Sequence, residues 1–159
     1  MKEIVKPLMQ WYAKHARTLP WRSDPTPYHV WLSEIMLQQT RVEAVIGYYD
    51  RFLEELPDVQ SLAAVSEERL LKLWEGLGYY NRARNLQKAA VQICEQYQGK
   101  FPESYEEWLA LPGIGAYTAG AVTSIAFGKK EAAVDGNVYR IYTRLYADDT
   151  EISKTAFQR

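Results

Sequence analysis

The sequence predicts an all-α protein, on three observations. Apolar residues recur three and four positions apart from the N-terminus to Tyr146. No segment alternates apolar and polar residues with the two-residue period of a strand. The breaks between periodic segments carry helix punctuation: prolines, glycines and capping side chains.

The elements follow in order. Ile4, Leu8 and Tyr12 stand four apart, with Val5 and Met9 beside them, and predict a helix over residues 2–16. Pro20, Pro25 and Pro27 make residues 17–28 read as a loop. Trp31, Leu32, Ile35 and Met36 share one face of a helix over 29–39. Val42, Val45, Ile46, Tyr49, Phe52, Leu53 and Leu56 define another over 41–56, stopped by Pro57. Leu70, Leu71 and Trp74 belong to a helix ended by Gly76 and Gly78. Asn81 is the expected cap of a helix running to about Tyr97, with Gly99 behind it. Ser104 and Glu107 form a capping-box pattern for a short helix. Gly115 separates that helix from an Ala- and Thr-rich one over Tyr117–Phe127, and a last one begins near Asp135 and runs to about Tyr146. The tail from Asp148 to Arg159 is polar and is expected to start a further helix. It ends without a stop signal, as expected of a piece of a longer protein.

Composition narrows the classes. The chain of 159 residues is 47% hydrophobic, enough for one core or two small lobes. No apolar run approaches the ~20 residues that span a bilayer. The first fifteen residues carry charges throughout, unlike a secretory signal. Cys94 is the single cysteine, so no internal disulfide and no zinc or iron–sulfur cage can be built from this chain. It reads as a small apolar residue on a helix, in keeping with a reducing cytoplasm. The net charge of −1 means that any binding to DNA must use clustered cations or backbone amides rather than bulk charge.

Leu111, Pro112, Gly113, Ile114 and Gly115 lie between two predicted helices. Pro112 fixes the approach to the turn. Gly113 and Gly115 are expected to adopt dihedrals closed to other residues and to let another backbone come close. The helix from Ala116 then offers free amides at its start, a phosphate site that reads no sequence. A plain helix–helix turn with no ligand accounts for the same spacing.

Two carboxylates carry candidate chemistry. Asp135, in Val-Asp-Gly-Asn-Val, either caps the following helix or faces the sugar of an extruded nucleotide. In the second case it would stabilise an oxocarbenium-like sugar, with Asn137 orienting it or a water. Glu34 is the sole charge between His29 and Arg41. It is either an ordinary glutamate on a wet helix face or a carboxyl whose apolar neighbours raise its pKa. In the latter case it is a general acid for a departing purine. Tyr79 and Tyr80 read as core aromatics or as flat side chains suited to entering a base stack. Arg82, Arg84 and Lys88 either reach phosphates or sit on a solvated face.

Four strings, W-L-S-E-I-M-L-Q-Q-T, G-L-G-Y-Y-N-R-A-R-N, L-P-G-I-G-A-Y-T-A-G and V-D-G-N-V, stand in the order found in adenine DNA glycosylases of the MutY type. The chain resembles that family from about Trp11 to Tyr146. The resemblance implies the helix-hairpin-helix DNA glycosylase fold. Residues 17–147 would form the six-helix barrel lobe and residues 1–16 the N-terminal helix of an incomplete second lobe. Residues 148–159 would start the truncated remainder. It implies hydrolysis of the N-glycosidic bond of adenine mispaired with 8-oxoguanine or guanine, with the adenine flipped out of the duplex.

By position, Glu34 resembles the family's general acid and Asp135 its sugar-facing carboxylate. Tyr117 and Asn137 match further catalytic-site residues. Trp21, Arg22 and Leu37 match the adenine pocket. Gln39 and Tyr79 match wedges in the duplex, and Thr40, Arg82, Arg84, Pro112, Gly113 and Gly115 belong to the expected DNA-contacting set. The carbonyls of Leu109, Leu111 and Ile114 match those that hold a cation bridging to phosphate. Members continue into a four-cysteine [4Fe-4S] loop and a domain that checks the oxidised guanine. This chain has neither, so it is expected to encode no cofactor of its own. The implied partner is double-stranded DNA, met by a monomer beside the bacterial nucleoid, with no membrane.

Endonuclease III shares the fold but uses a lysine in the helix after the hairpin. Here Gly115, Ala116, Tyr117 and Thr118 occupy that stretch, so a lyase is not expected. The competing readings are a helix-hairpin-helix module that binds without chemistry, and a thymine-mismatch or endonuclease III-like enzyme on the same fold.

Overall fold

The computed structural model describes residues 2–147, which are helical with no strand among them. The tail from Asp148, expected to open a further helix, lies outside the described residues. Ten helices occur in the described part: α1 (Lys2–His15), α2 (Pro20–Ser23), α3 (Pro27–Leu37), α4 (Val42–Glu55), α5 (Val59–Ala64), α6 (Glu67–Trp74), α7 (Asn81–Tyr97), α8 (Tyr105–Leu109), α9 (Ala116–Phe127) and α10 (Gly136–Tyr146).

Three sequence expectations need correction. The stretch 17–28 is not all loop: Pro20 opens the short α2, and Pro27 sits in the first turn of α3 behind the cap Thr26, whose side chain accepts from the His29 amide. Proline lacks only an N–H that has no partner at a helix start, so it begins these helices rather than excluding them. The six-residue α5 was not foreseen, although Asp58 and Ser61 close a reciprocal capping box around its first turn. Asn81 does not cap α7. It is the first helical residue, because Tyr80 is already in the right-handed region.

α3 is the axis of the packed body. Tyr28, Val30, Trp31, Leu32, Ser33, Ile35 and Met36 are all buried, so α3 is enclosed on nearly every side rather than along one stripe. It packs against α2, α4, α7 and α9, with α5 and α6 held through α7. Trp31 meets Trp108 edge-on at 5.7 Å, and Phe101 stacks on Trp108. Ala119, Gly120 and Ala121 give α9 a narrow waist there. α1 and α10 stand apart: Ile4, Val5, Leu8, Met9 and Trp11 on α1 are exposed, and α10 buries no residue.

Candidate active site

A cavity of about 450 Å³ opens in the body, and its walls include Trp21, Arg22, Glu34, Leu37, Tyr117 and Asp135. Four separate stretches of sequence therefore converge on it. α2 brings Trp21, buried and set edge-on to Tyr49, and Arg22, which donates to the Arg17 carbonyl at 3.1 Å. α3 brings Glu34 and, at its last residue, Leu37. Tyr117 is the second residue of α9, and Asp135 caps α10.

Asp135 reaches the cavity because the chain before it crosses α9 at Gly120. A Cβ on Gly120 would lie 2.2 Å from the Ala132 carbonyl oxygen, so only glycine admits that approach. Gly120 ends the L-P-G-I-G-A-Y-T-A-G string. Its role depends on a backbone twelve residues away, which no local pattern announces.

The two carboxyls meet opposite environments. Burial raises the Glu34 pKa above its ordinary value, aided by the negative charge of Asp135. The Tyr117 hydroxyl, hydrogen-bonded to it, and the Arg22 charge offset part of that rise. Partial burial also acts upward on Asp135, but the hydrogen bonds it accepts outweigh it and hold its pKa low. Its Oδ1 accepts from the Val138 amide at 2.9 Å and the Asn137 amide at 3.0 Å, and its Oδ2 accepts from Asn137 Nδ2 at 2.9 Å. Asp135 is thus both helix cap and cavity wall. Arg140, absent from the sequence expectations, donates to Asn137 Oδ1 at 2.9 Å and fixes that amide's orientation. Burial, the Glu34 and Asp135 charges and the bond to Glu34 push the Tyr117 hydroxyl up to about 12. Two carboxyls on a shared cavity, one with its pKa raised and one with it lowered, suit breaking a bond whose leaving group needs a proton while its carbon turns cationic.

The remaining expected residues gather elsewhere. Gln39 and Tyr79 are exposed, and both adopt left-handed backbone, with φ of 57° and 48°. Arg84 is paired with Glu67 at 2.7 Å. Arg82 does not present a free charge to solvent. Its guanidinium donates to the Ile35, Met36, Gln38, Leu77 and Gly78 carbonyls and to Thr40 Oγ1.

In the hairpin, Pro112 and Gly113 border a second cavity of about 110 Å³ beside α7. Gly113 is at φ 75°, and a Cβ there would press on Asn85. Gly115 is different from the expectation: at φ −99° it is ordinary extended backbone with open space around it, so within this chain nothing requires glycine. The Leu111 carbonyl accepts from the Ile114 amide at 3.2 Å and closes the turn. Leu109, Leu111 and Ile114 offer only backbone oxygens, the donor type of a hard cation. Tyr12, Arg17, Leu19, Val42 and Ile125 also wall the main cavity and escaped the sequence reading. All but Ile125, which shares α9 with Tyr117, come from other stretches, and their types carry no signal of a site.

The profile of the HhH-GPD superfamily base excision DNA repair proteins matches residues 32–159. The adenine DNA glycosylase of Buchnera aphidicola subsp. Baizongia pistaciae is 45% identical over 141 residues, which cover 88% of this chain and 40% of that protein. The adenine DNA glycosylase of Homo sapiens is 45% identical over 157 residues, covering 93% of this chain and 29% of that one. The chain thus spans well under half the length of these relatives. A solved structure of a thermostable thymine-DNA glycosylase superposes with a TM-score of 0.89 at 30% identity, over 98% of this chain and 73% of that one.

Proposed function

The chain belongs to the HhH-GPD superfamily of base excision DNA repair proteins, and from that premise we propose that it excises adenine mispaired with 8-oxoguanine or guanine in double-stranded DNA. The observation that carries the reading is the pair of carboxyls on one cavity with pKa values displaced in opposite directions. The adenine is turned out of the duplex into the cavity of Trp21, Arg22 and Leu37. Glu34, neutral, gives its proton to a ring nitrogen of the base as the C1′–N9 bond breaks and its electron pair leaves with adenine. Asp135, ionised and held by Asn137, stabilises the cationic sugar. Water adds to C1′ and releases a proton, leaving an abasic site.

Tyr117, where a lyase would carry lysine, supports hydrolysis without strand cleavage. The charge of −1 leaves the hairpin amides, and a cation on the Leu109, Leu111 and Ile114 carbonyls, to supply the grip on phosphate. No described helix is long and apolar enough to cross a membrane. We place the protein as a monomer at the bacterial nucleoid, with any [4Fe-4S] cluster held by sequence outside this chain.

The test is single-turnover base release from duplexes carrying adenine opposite 8-oxoguanine, or thymine opposite guanine. Adenine release that Asp135→Asn lowers at least ~1000-fold is expected, from the loss of preorganised charge. Thymine release instead would favour the activity named for the similar solved structure. Salt-sensitive binding with no base loss would reduce the protein to a binding module.

A further inference from the structure

Gln39 and Tyr79 lie forty residues apart in sequence, yet they share two properties: exposure and a left-handed backbone that L side chains seldom adopt. Such conformations persist only where the surroundings fix them. One side chain binds the neighbours of both. Arg82 Nη1 donates to the Ile35 carbonyl at 2.9 Å, to Met36 at 3.0 Å and to Gln38 at 2.5 Å. These carbonyls end α3, where the helix itself has no amides left to offer them. Arg82 Nη2 donates to Leu77 at 3.0 Å, to Gly78 at 3.2 Å and to Thr40 Oγ1 at 3.3 Å. The guanidinium also lies 5.7 Å from the Tyr79 ring centroid and 5.5 Å from that of Trp74. Trp74 Nε1 in turn donates to the Gly78 carbonyl at 3.1 Å. The residues flanking Gln39 and those leading into Tyr79 are therefore tied to a single planar group.

We propose that Arg82 is a positioning residue that makes Gln39 and Tyr79 one rigid tool, so that the two side chains enter the base stack together. This rests on the reading of those two residues as wedges. Its geometry needs a fork: in-plane donors on two separate nitrogens meet the end of α3 on one flank and the Leu77 and Gly78 carbonyls on the other. A lysine ammonium carries the same charge but cannot span both. The proposal accordingly separates two roles for Arg82. A phosphate contact survives the change to lysine, whereas a tie between two loops does not.

The experiment places 2-aminopurine beside the base opposite the target in a duplex whose target adenosine carries 2′-fluorine, so that the base stays attached. The fluorescence gain on binding reports unstacking. In the otherwise unaltered protein, Gln39→Ala and Tyr79→Ala each lower the gain, and the pair shows coupling of about 5-fold or more. In Arg82→Lys the coupling factor falls to about 1, while the slope of duplex affinity against salt is unchanged. Coupling that persists in Arg82→Lys overturns the proposal while leaving the wedge reading intact. A salt slope that drops by about 0.9 in Arg82→Met and recovers in Arg82→Lys also overturns it, because that is a phosphate contact. If neither alanine variant changes the gain, the wedge reading falls and the proposal with it. Amide exchange in the unaltered protein needs no substitution: residues 38–40 and 77–79 are expected to exchange with one common opening rate. Rates more than ~10-fold apart reject the tie.

Discussion

Glu34 stands in the middle of α3, a helix buried on nearly every side, whereas Asp135 stands at the exposed start of α10, a helix that buries nothing. Both face one cavity. The difference shows how a chain obtains two protonation states from one functional group. At Glu34 water is withdrawn and little replaces it, so the neutral form is favoured. At Asp135 three N–H donors replace the water, so the charged form is favoured. The consequences for stability are opposite. A raised folded pKa means that Glu34 contributes most below the ordinary carboxyl value, and that contribution is lost as pH climbs through the folded value. A lowered folded pKa means that Asp135 contributes above the ordinary value and loses that contribution as pH falls through the folded one.

The largest expected effect breaks the pair at Glu34. Glu34→Gln keeps the shape and removes the proton donor, so base release falls by about 1000-fold at neutral pH. The same substitution raises the melting temperature on the alkaline side, where the native carboxyl is forced to ionise on an enclosed wall. The gain shrinks as pH is lowered and the native carboxyl becomes neutral. Thermal unfolding followed from acid to alkaline pH checks the sign. No gain at alkaline pH would mean that Glu34 is fully hydrated, and the contrast with Asp135 would collapse.

The next effect breaks the pair by distance rather than chemistry. In Gly120→Ala the new methyl meets the Ala132 carbonyl, so α9 or the segment leading to Asp135 must move. Overpacking of this kind costs about 1–3 kcal/mol, and a shift of ~1 Å in a reacting group costs roughly 100-fold in rate. Duplex affinity, which the proposed function assigns to the hairpin and the rim, stays within a factor of about three. Base release unchanged by Gly120→Ala would show that Asp135 is not placed by that crossing.

The same contrast marks how far the sequence could be read. Glu34 was legible because its neighbours are apolar, and enclosure along one helix follows from local composition. Asp135 was legible as a cap because capping is a relation over two or three residues. The crossing at Gly120 and the six acceptors around Arg82 were not legible. Each joins segments far apart in the chain, and Arg82 in isolation looks like a surface cation. The two short helices escaped for a different reason. α2 and α5 are too brief to show a period, and the prolines that begin α2 and α3 equally suit a loop. Gly115 failed in the other direction: a glycine was read as a conformational need where the backbone is ordinary.

The smallest effect sharpens the comparison at Tyr117, which touches Glu34 and feels both carboxyls. Its hydroxyl opposes the burial that raises the Glu34 pKa. Tyr117→Phe removes that opposition and moves the Glu34 pKa further up. The tyrosine's own titration lies near 12, outside the working range, so a shift in the pH profile of base release belongs to Glu34. The alkaline fall of the rate is therefore expected to move to higher pH in Tyr117→Phe. The plateau drops only a few-fold, roughly the loss of one hydrogen bond of about 1 kcal/mol. The two effects oppose each other above neutrality, so the variant approaches the unaltered protein as pH rises. A fall that moves to lower pH would show that Tyr117 stabilises the neutral Glu34 instead, and that burial alone does not keep the acid protonated.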